Sequence, residues 1–305
     1  MFDSLGRLVY MLMMQFNNIM GGNSVLTVVV FTILLRLVMS PFDIISRKAM
    51  QKQTAAQPYI ARIQKRYAGN PQVMQKKLSE FNKKHGISMV KGCLPLLITW
   101  PLFIVFLDAM NYWGYVSNIN IFLQAQAGNY DITANSWLWI NNIWSADSGL
   151  APVVLSAEKF AAIPFDKLAS FFDAATLETV KNAAANGGAI YTEVMAPVTA
   201  QYAGVANGWF ILPLISGASV ILQTYVTQGR RKKDEKGNPI PNQPGGGMGM
   251  SIFMAVFSAW ICLSYNSMFS MYWLTSNAFA ILLQLVLKKI YPASSYVFEG
   301  EAELQ

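Results

Sequence analysis

The 305-residue chain is 53% hydrophobic and only 13% charged, and its net charge at pH 7 is +7. A soluble globular domain carries about 25% charged residues, so this composition excludes an ordinary soluble protein. Long hydrophobic blocks alternate with charged blocks, which is typical of an all-α protein that crosses the membrane several times.

Residues 1–23 predict an amphipathic helix that lies in the membrane interface. Its apolar residues recur at spacings of three and four: Leu8, Met11, Leu12, Phe16 and Ile19. Gly21 and Gly22 are expected to end it. The segment lacks a positive stretch followed by an apolar core and a small-residue cleavage site, so we expect no cleavable signal peptide.

Five hydrophobic segments are long enough, or nearly so, to cross the bilayer. About 20 apolar residues are needed to span ~30 Å of hydrocarbon. We predict spans at residues 24–45, 93–115, 207–228, 250–265 and 269–288. The fourth is short, and a thinned bilayer or a tilted neighbouring helix would accommodate it.

Segment 46–92 is strongly basic, with eleven Lys or Arg residues and one acidic residue. It predicts a helical hairpin in which Asn70 caps the second helix, Pro71 begins it and Gly86 ends it. Each helix carries an apolar stripe, and the two stripes are expected to pack together. The stripes are formed by Ile60, Ile63 and Tyr67 on the first helix and by Met74, Leu78 and Phe81 on the second.

The distribution of charge predicts the orientation of the chain. Segment 116–206 holds three basic and seven acidic residues and reads as a small extracytoplasmic domain, whereas the Pro/Gly-rich loop 229–249 holds five basic residues. Because basic loops stay in the cytoplasm, we place 46–92, 229–249 and the tail 289–305 inside. The N-terminus is then outside and the C-terminus inside.

Arg36 is the most informative residue, because it lies well inside the first span. A charge at the centre of a span costs from ~2.5 to above 10 kcal/mol, so it needs a partner, a polar cavity or an escape to the interface. One interpretation is that Arg36 extends towards the cytoplasmic interface, as long basic side chains do. The other is that it faces a polar cavity between helices and meets incoming negative charge.

Polar residues in the other spans bear on this choice. They are Asp108, Gln223, Thr224, Ser258, Thr275, Ser276, Asn277 and Gln284. If they face one another, they enclose a hydrophilic cavity. For Ser258 and Thr275 we favour a simple hydrogen bond between helices, worth ~0.6 kcal/mol on average. We assign no role to Asp108.

No catalytic, nucleotide-binding or metal-binding motif is present. The sequence contains no GxxxxGK[ST], no HExxH and no Ser-His-Asp set, and it does not show the inverted repeats of many transporters. Cys93 and Cys262 do not form a CxxC pair and read as small buried hydrophobic residues. We therefore expect no enzyme activity, no cofactor and no metal.

Four stretches resemble the YidC-type membrane protein insertases, which are related to the mitochondrial oxidase-assembly and thylakoid Albino proteins. They are ILLRLVMSPFDIISRKAMQ (33–51), IQKRYAGNPQVMQKKLSEFNKKHGIS (63–88), KGCLPLLITWPLFIVF (91–106) and MYWLTSNAFAILLQ (271–284). The resemblance implies five core helices around a groove open to the cytoplasm and to lipid but closed outside. It also implies multi-pass localisation in the bacterial inner or plasma membrane. The segment 116–206 is longer than the family's usual outer segment.

The resemblance further implies that Arg36 is the groove arginine. Gln223, Trp273, Asn277 and Gln284 fall on matching helices and are expected to line the same client-binding groove. The clients would be nascent membrane proteins, whose acidic tails Arg36 would attract before their spans pass into lipid. No nucleotide would be needed.

The hairpin 46–92 would meet incoming chains, targeting factors, the ribosome or a Sec-type translocon, or would rest on anionic lipid. Two alternative functions stay open at this point. The first is an assembly factor for membrane complexes, with the hairpin as a docking surface. The second is a small-anion transporter in which Arg36 binds the solute.

Overall fold

The computed structural model describes residues 2–87, 89–228 and 248–292, and within these ranges the chain contains helices and loops but no β-strand. The predicted all-α class is therefore confirmed for this part of the chain. Residues 229–247 of the predicted cytoplasmic loop and 293–305 of the predicted tail lie outside the described residues. The helices are α1 (Phe2–Ile19), α2 (Ser24–Arg66), α3 (Pro71–Lys84), α4 (Met89–Gln126), α5 (Ala157–Ala161), α6 (Ala174–Gln201), α7 (Ile211–Gln228), α8 (Met248–Ser264) and α9 (Ser267–Ile290), with short 3-10 helices at Ile132–Asn135 and Phe165–Leu168.

The helices form two compact units. The first unit comprises Met1–Thr32, Pro101–Ala218 and Val256–Thr275, and the second comprises Ile33–Trp100, Ser219–Ala255 and Ser276–Gln305.

Two of the described helices are long and apolar enough to cross a membrane, namely α2 and α9. Two further apolar helices, Ile211–Thr227 and Gly249–Ser264, are shorter. Only 22% of the most apolar stretch of α2 and 33% of that of α9 is buried within the protein. Such exposed apolar surface differs from the buried core helix of a soluble protein. Five spans and their orientation stay predictions.

In the first unit, α1 ends where the sequence predicts. Gly21 and Gly22 have φ of +66° and +81°, a left-handed conformation that glycine adopts without a steric penalty. Asn23 then accepts a hydrogen bond from the backbone N of Leu26 at 3.0 Å and caps the start of α2. The α1 helix packs on α4, where the rings of Tyr10 and Tyr112 stack with centroids 6.4 Å apart.

The α2 helix continues for 43 residues through Pro41 and Pro58. The predicted first span and the first helix of the basic hairpin are thus parts of one helix. Because α2 is one continuous helix, its residues that are eleven positions apart lie on nearly the same face.

In the second unit, α2 and α3 form the predicted helical pair. Asn70 accepts from the backbone N of Val73 at 3.2 Å, and Pro71 occupies the first turn of α3. Gly86 follows the helix with φ of +58°. These features confirm the predicted cap, first turn and stop.

The packing of this pair agrees with the predicted stripes and adds residues to them. Ile60, Leu78 and Phe81 meet as expected, and the buried centre also contains Ala55 and Ala56. Tyr59, which the predicted stripe did not include, stacks on Phe81, with centroids 6.0 Å apart. In an antiparallel helix pair, residues far beyond the turn pack against residues equally far before it. The C-terminal half of α3 therefore packs against residues 55–60 of α2.

In the first unit, α4 extends to Gln126, and the extracytoplasmic segment predicted at 116–206 begins as a continuation of this helix. Phe122, near its end, packs on Phe160 and Tyr191, with ring centroids 5.4 and 5.7 Å apart. The hydroxyl of Tyr191 donates to the carbonyl of Leu155 at 2.7 Å. The segment thus has an aromatic core of its own, and burial raises the pKa of Tyr191.

Two asparagines join the beginning and the end of this segment. The backbone N of Asn142 donates to Asn207 Oδ1 at 2.7 Å, and Asn207 Nδ2 donates back to the Asn142 carbonyl at 2.9 Å. Both residues are buried. This pair brings together residues that are 65 positions apart in sequence.

Asp147, which is completely buried, caps the start of α7. Its carboxylate accepts from the backbone N atoms of Trp209 and Leu212, each at 2.7 Å, and from Trp139 Nε1 at 3.2 Å. A carboxylate at a helix N-terminus satisfies donors that otherwise lack partners and is favoured by the helix dipole. This cap explains why α7 begins at Ile211 and not earlier in the apolar stretch.

Candidate functional site

Arg36 lies on α2 in the second unit and is half-buried. Its Nε donates to Ser276 Oγ on α9 at 2.7 Å, and Nη2 contacts the same hydroxyl. Ser276 is buried. No ion pair of Arg36 is present among the described residues, and its hydrogen-bond partner is an uncharged hydroxyl. The carboxyl group of Asp43, seven residues further along α2, interacts with it electrostatically.

Asn277, the next residue on α9, forms a hydrogen bond with α7. Its Nδ2 donates to Ser219 Oγ at 2.8 Å, and both side chains are buried. Consecutive residues of α9 therefore bond to two different helices of the second unit. Sequence reasoning had placed Asn277 in the site but had not assigned its partner, because a polar side chain in an apolar helix does not indicate which neighbour it faces.

Gln223 and Gln284 are half-buried residues of the same unit. Gln284 lies seven residues after Asn277, which is two helical turns. Its Oε1 is buried and accepts no hydrogen bond from the residues that the structure describes. A buried acceptor without a partner costs about 1–3 kcal/mol, so this atom is a candidate for contact with water or a ligand.

Trp273 lies in the other unit, with an aromatic group on α4 and α9. Its ring meets Phe103 edge to face, with centroids 5.4 Å apart, and Phe269 at 5.9 Å. The buried indole Nε1 has no acceptor within the described ranges. Of the five predicted site residues, four are thus in the second unit and Trp273 is in the first.

Arg47 is a residue of this region that the sequence analysis did not assign. It is only 1% exposed, and its Nη1 donates to the carbonyl of Thr227 in the last turn of α7 at 3.0 Å. With its amide oxygen turned towards the guanidinium, Gln51 accepts from Arg47 Nε at 2.8 Å. The signal in the sequence was the spacing of eleven from Arg36, which places both arginines on one face of a continuous α2.

Ser258 corrects one expectation. We predicted a hydrogen bond from its hydroxyl to a neighbouring helix, but the side chain is 1% exposed and its Oγ has no partner among the residues described. A serine in an apolar helix can hydrogen-bond to a neighbouring helix. Whether its hydroxyl does so depends on how the helices pack, which one sequence alone does not reveal.

Metal chemistry has no visible support in this part of the chain. Within residues 2–87, 89–228 and 248–292, no three His, Cys, Asp or Glu side chains are grouped closely enough to hold an ion. The polar groups described in this region are arginine, hydroxyl and amide side chains on largely apolar helices.

Comparison with known proteins identifies the family. The family model of the 60Kd inner membrane protein matches residues 15–294. The membrane protein insertase YidC of Clostridium perfringens is 31% identical over 137 residues, which is 45% of this chain and 51% of that protein. Membrane protein insertase YidC 2 of Listeria innocua is 31% identical over 120 residues, 38% of this chain and 42% of that protein.

A longer match is to the membrane protein insertase YidC of Francisella philomiragia, which is 22% identical over 294 residues, 96% of this chain and 37% of that protein. The matched parts span about half or less of these curated relatives. The family match, in contrast, covers nearly the whole of this chain, and the resemblance inferred from the four motifs is confirmed. The chain therefore belongs to the 60Kd inner membrane protein family, the YidC-type family of bacterial inner membrane proteins.

Proposed function

We propose that this chain is a membrane protein insertase that receives nascent membrane proteins in a polar groove beside Arg36 and releases their spans into the bilayer. The observation that carries the proposal is the half-buried Arg36, held on an apolar helix by the neutral hydroxyl of Ser276 at 2.7 Å. A charge in such a setting is costly. The cost is offset when an anionic group of a client approaches, because charges attract more strongly there than in bulk water.

In this proposal Arg36, Gln223, Asn277 and Gln284 of the second unit line the groove, and Trp273 remains a predicted client-binding residue. Buried amide groups such as Gln284 Oε1 would hydrogen-bond the hydrophilic tail of a client and lower the cost of carrying it into the membrane. Burial of the client's own span in lipid, at ~25 cal/mol per Å² of apolar area, would then drive release. No nucleotide enters this scheme.

In this proposal the chain crosses the membrane five times, with the N-terminus outside and the hairpin 46–92 in the cytoplasm. The exposed lysines of α3 then face incoming chains, and targeting factors, the ribosome or a Sec-type translocon are the partners we expect there. Anionic lipid at the inner surface is a further partner, with each Lys or Arg contributing ~1 kcal/mol.

The test is reconstitution of the purified protein into liposomes. A small single-span client with an acidic N-terminal tail is added, and the protection of that tail from external protease is measured. We expect protection with this protein and none with empty liposomes. If a folded protein gives no protection but co-purifies with a membrane complex, the chain acts as an assembly factor. If it instead catalyses saturable uptake of a small anion, it is a transporter.

A further inference from the structure

A cavity of about 760 Å³ lies in the first unit, between α4, the segment 144–163 and the turn before α9. Ligand-binding pockets occupy roughly 300–1,000 Å³. None of the five predicted client-binding residues lines this cavity. It is therefore a separate candidate site, and the insertase proposal does not use it.

Part of the cavity lining is polar and carries a positive charge. Lys159 supplies the charge, and the neighbouring hydrogen-bonding side chains are Asn111, Tyr115, Asn118, Tyr265 and Asn266. No carboxylate lines the cavity, although the extracytoplasmic segment 116–206 holds more acidic than basic residues. An ammonium group in a concave site without an opposing carboxylate favours an anion.

Several of these polar side chains carry hydrogen-bond donors that no other described residue uses. Lys159 Nζ and the hydroxyls of Tyr115 and Tyr265 form no hydrogen bond with another residue in the described part of the chain. Asn266 uses its Oδ1 to accept from the backbone N of Phe269 at 3.0 Å, which leaves its Nδ2 as a donor. A phosphate group, whose oxygens accept several hydrogen bonds, matches such a set of donors.

Apolar side chains also line the cavity and continue onto the surface. They include Leu150, Phe210 and Leu263, of which Leu150 is 89% exposed. Beside it, Trp209 is 73% exposed and lines an adjoining hollow together with Leu138. Exposed apolar side chains of this size mark a surface that contacts a partner or lipid. Their position at the start of the apolar helix α7 favours lipid, since tryptophan is enriched where a helix enters the membrane.

We propose that this cavity binds one anionic phospholipid of the outer leaflet. The phosphate lies on Lys159 and the tyrosine hydroxyls, and the acyl chains run over Leu150 and Phe210 towards Trp209. The polar and apolar parts of the lining together match an amphiphile, whereas a soluble phosphate ester would use only the polar part. Assignment to the outer leaflet rests on the proposed orientation, but the binding itself requires no insertion activity.

The experiment is a titration of the full chain, purified in an uncharged detergent, followed by native mass spectrometry. The probes are dihexanoyl phosphatidylglycerol, glycerol 3-phosphate, which lacks acyl chains, and dihexanoylglycerol, which lacks the phosphate. We expect phosphatidylglycerol to bind more tightly than either of the others. Lys159→Gln should weaken its binding about fivefold, the effect of one basic residue near a charged lipid surface.

Lys181→Gln is the matched control, because it removes the same charge from α6 of the same segment, outside the cavity. An equal loss in both variants would show a general charge effect and overturn the site. Glycerol 3-phosphate that binds as tightly as phosphatidylglycerol would overturn the lipid assignment. If Lys159→Gln does not fold, Leu150→Ser tests the apolar part of the lining at an exposed position, and unchanged binding there would also overturn it. A photoreactive group at position 263 that labels a client polypeptide and not lipid would assign the cavity to clients instead.

Discussion

The guanidinium of Arg36 is held by the hydroxyl of Ser276, with Nε and Oγ 2.7 Å apart. The two residues are 240 positions apart in sequence. The serine hydroxyl positions the arginine side chain without adding a counter-charge, and Asp43 is the acidic residue that interacts with it electrostatically. The electrostatic attraction of an incoming anion is therefore preserved, which is the physical basis of the first prediction.

Arg36→Ala should slow insertion of a client with an acidic tail about tenfold and that of a client with a neutral tail about twofold or less, because only the acidic tail loses a charge–charge attraction. Arg36→Lys retains the charge and should retain most of the activity. Protease protection in liposomes measures both. The control is Arg66→Ala, which removes an exposed arginine from the end of the same helix. Equal losses for acidic and neutral tails would contradict the role of the charge.

Asp147→Asn should destabilise the segment 116–206 and the start of α7 by about 2 kcal/mol. The carboxylate accepts three N–H donors, and an amide would turn one of its own donors towards them, which removes hydrogen bonds to a charged acceptor. The midpoint of thermal unfolding in detergent should fall by about 4–8 °C. Asp166→Asn, at an exposed position of the same region, should leave it within about 1 °C. Matching midpoints for the two variants would show that Asp147 is not a structural cap.

Gly208→Ala should destabilise the protein by about 1–3 kcal/mol, the usual cost of overpacking. A Cβ at position 208 would lie 2.9 Å from Asp147 Cα, and a backbone atom cannot move aside as a flexible side chain can. Chemical unfolding followed by tryptophan fluorescence measures the change. Gly69→Ala is the control, because a Cβ there meets no atom within 4 Å. If the two variants unfold at the same denaturant concentration, the close approach at Gly208 is not rigid.

Asn70→Ala should weaken the first turn of α3 by about 1 kcal/mol, because the backbone N of Val73 loses its acceptor. Amide hydrogen exchange of residues 72–75 should become several times faster. Gln72→Ala, an exposed change two residues later, should not alter it. Unchanged exchange in Asn70→Ala would mean that contacts with α2, such as Phe81 on Tyr59, hold this turn without the cap.

The contact between α1 and the segment 116–206 should weaken in acid. Hydrogen bonds from Lys167 and Tyr112 hold the pKa of Asp3 below its usual value of about 3.8, and the charges of Lys167 and Arg7 act in the same direction, against the raising effect of burial. The group is ionised more readily in the folded state, so its stabilising effect is complete above the unfolded-state pKa. It is lost as the pH falls through the lower folded-state pKa.

Protection factors for amide exchange in residues 4–10 should therefore decrease between pH 5 and pH 3 by a small factor, since the ion pair is exposed and surface pairs are worth at most ~1 kcal/mol. Asp108 faces the same carboxylate and repels it, which limits the effect further. In Asp3→Asn the protection should be low at both pH values. A variant that keeps the wild-type pH dependence would assign it to another group.

The sequence predicted the elements of the fold better than their partners. The periodicity of the apolar residues and the cap signals at Asn70 and Gly86 are local, and the structure follows them closely. The two apolar stripes of the basic hairpin meet as predicted at Ile60, Leu78 and Phe81. The contact of Tyr59 with Phe81 was not predicted, because Tyr59 lies outside the stripe assigned to the first helix.

The candidate site could be predicted in part for a similar reason. Arg36 is conspicuous because a charge in an apolar span is costly. Its partner Ser276, by contrast, is one of several hydroxyls, and nothing in a single sequence distinguishes it. Arg47 was not assigned because the predicted first span ends at residue 45, whereas α2 continues to Arg66 and places both arginines on one face.

The cap of α7 also determines an order of events during synthesis. Asp147 and Leu212 are 65 residues apart, and the carboxylate accepts from the backbone N of Leu212. At about 5–20 residues per second, the ribosome makes the aspartate roughly 3–13 s before the helix that it caps. For those seconds the carboxylate lacks the backbone donors of α7. The start of this helix therefore becomes fixed only after the whole intervening segment has been made.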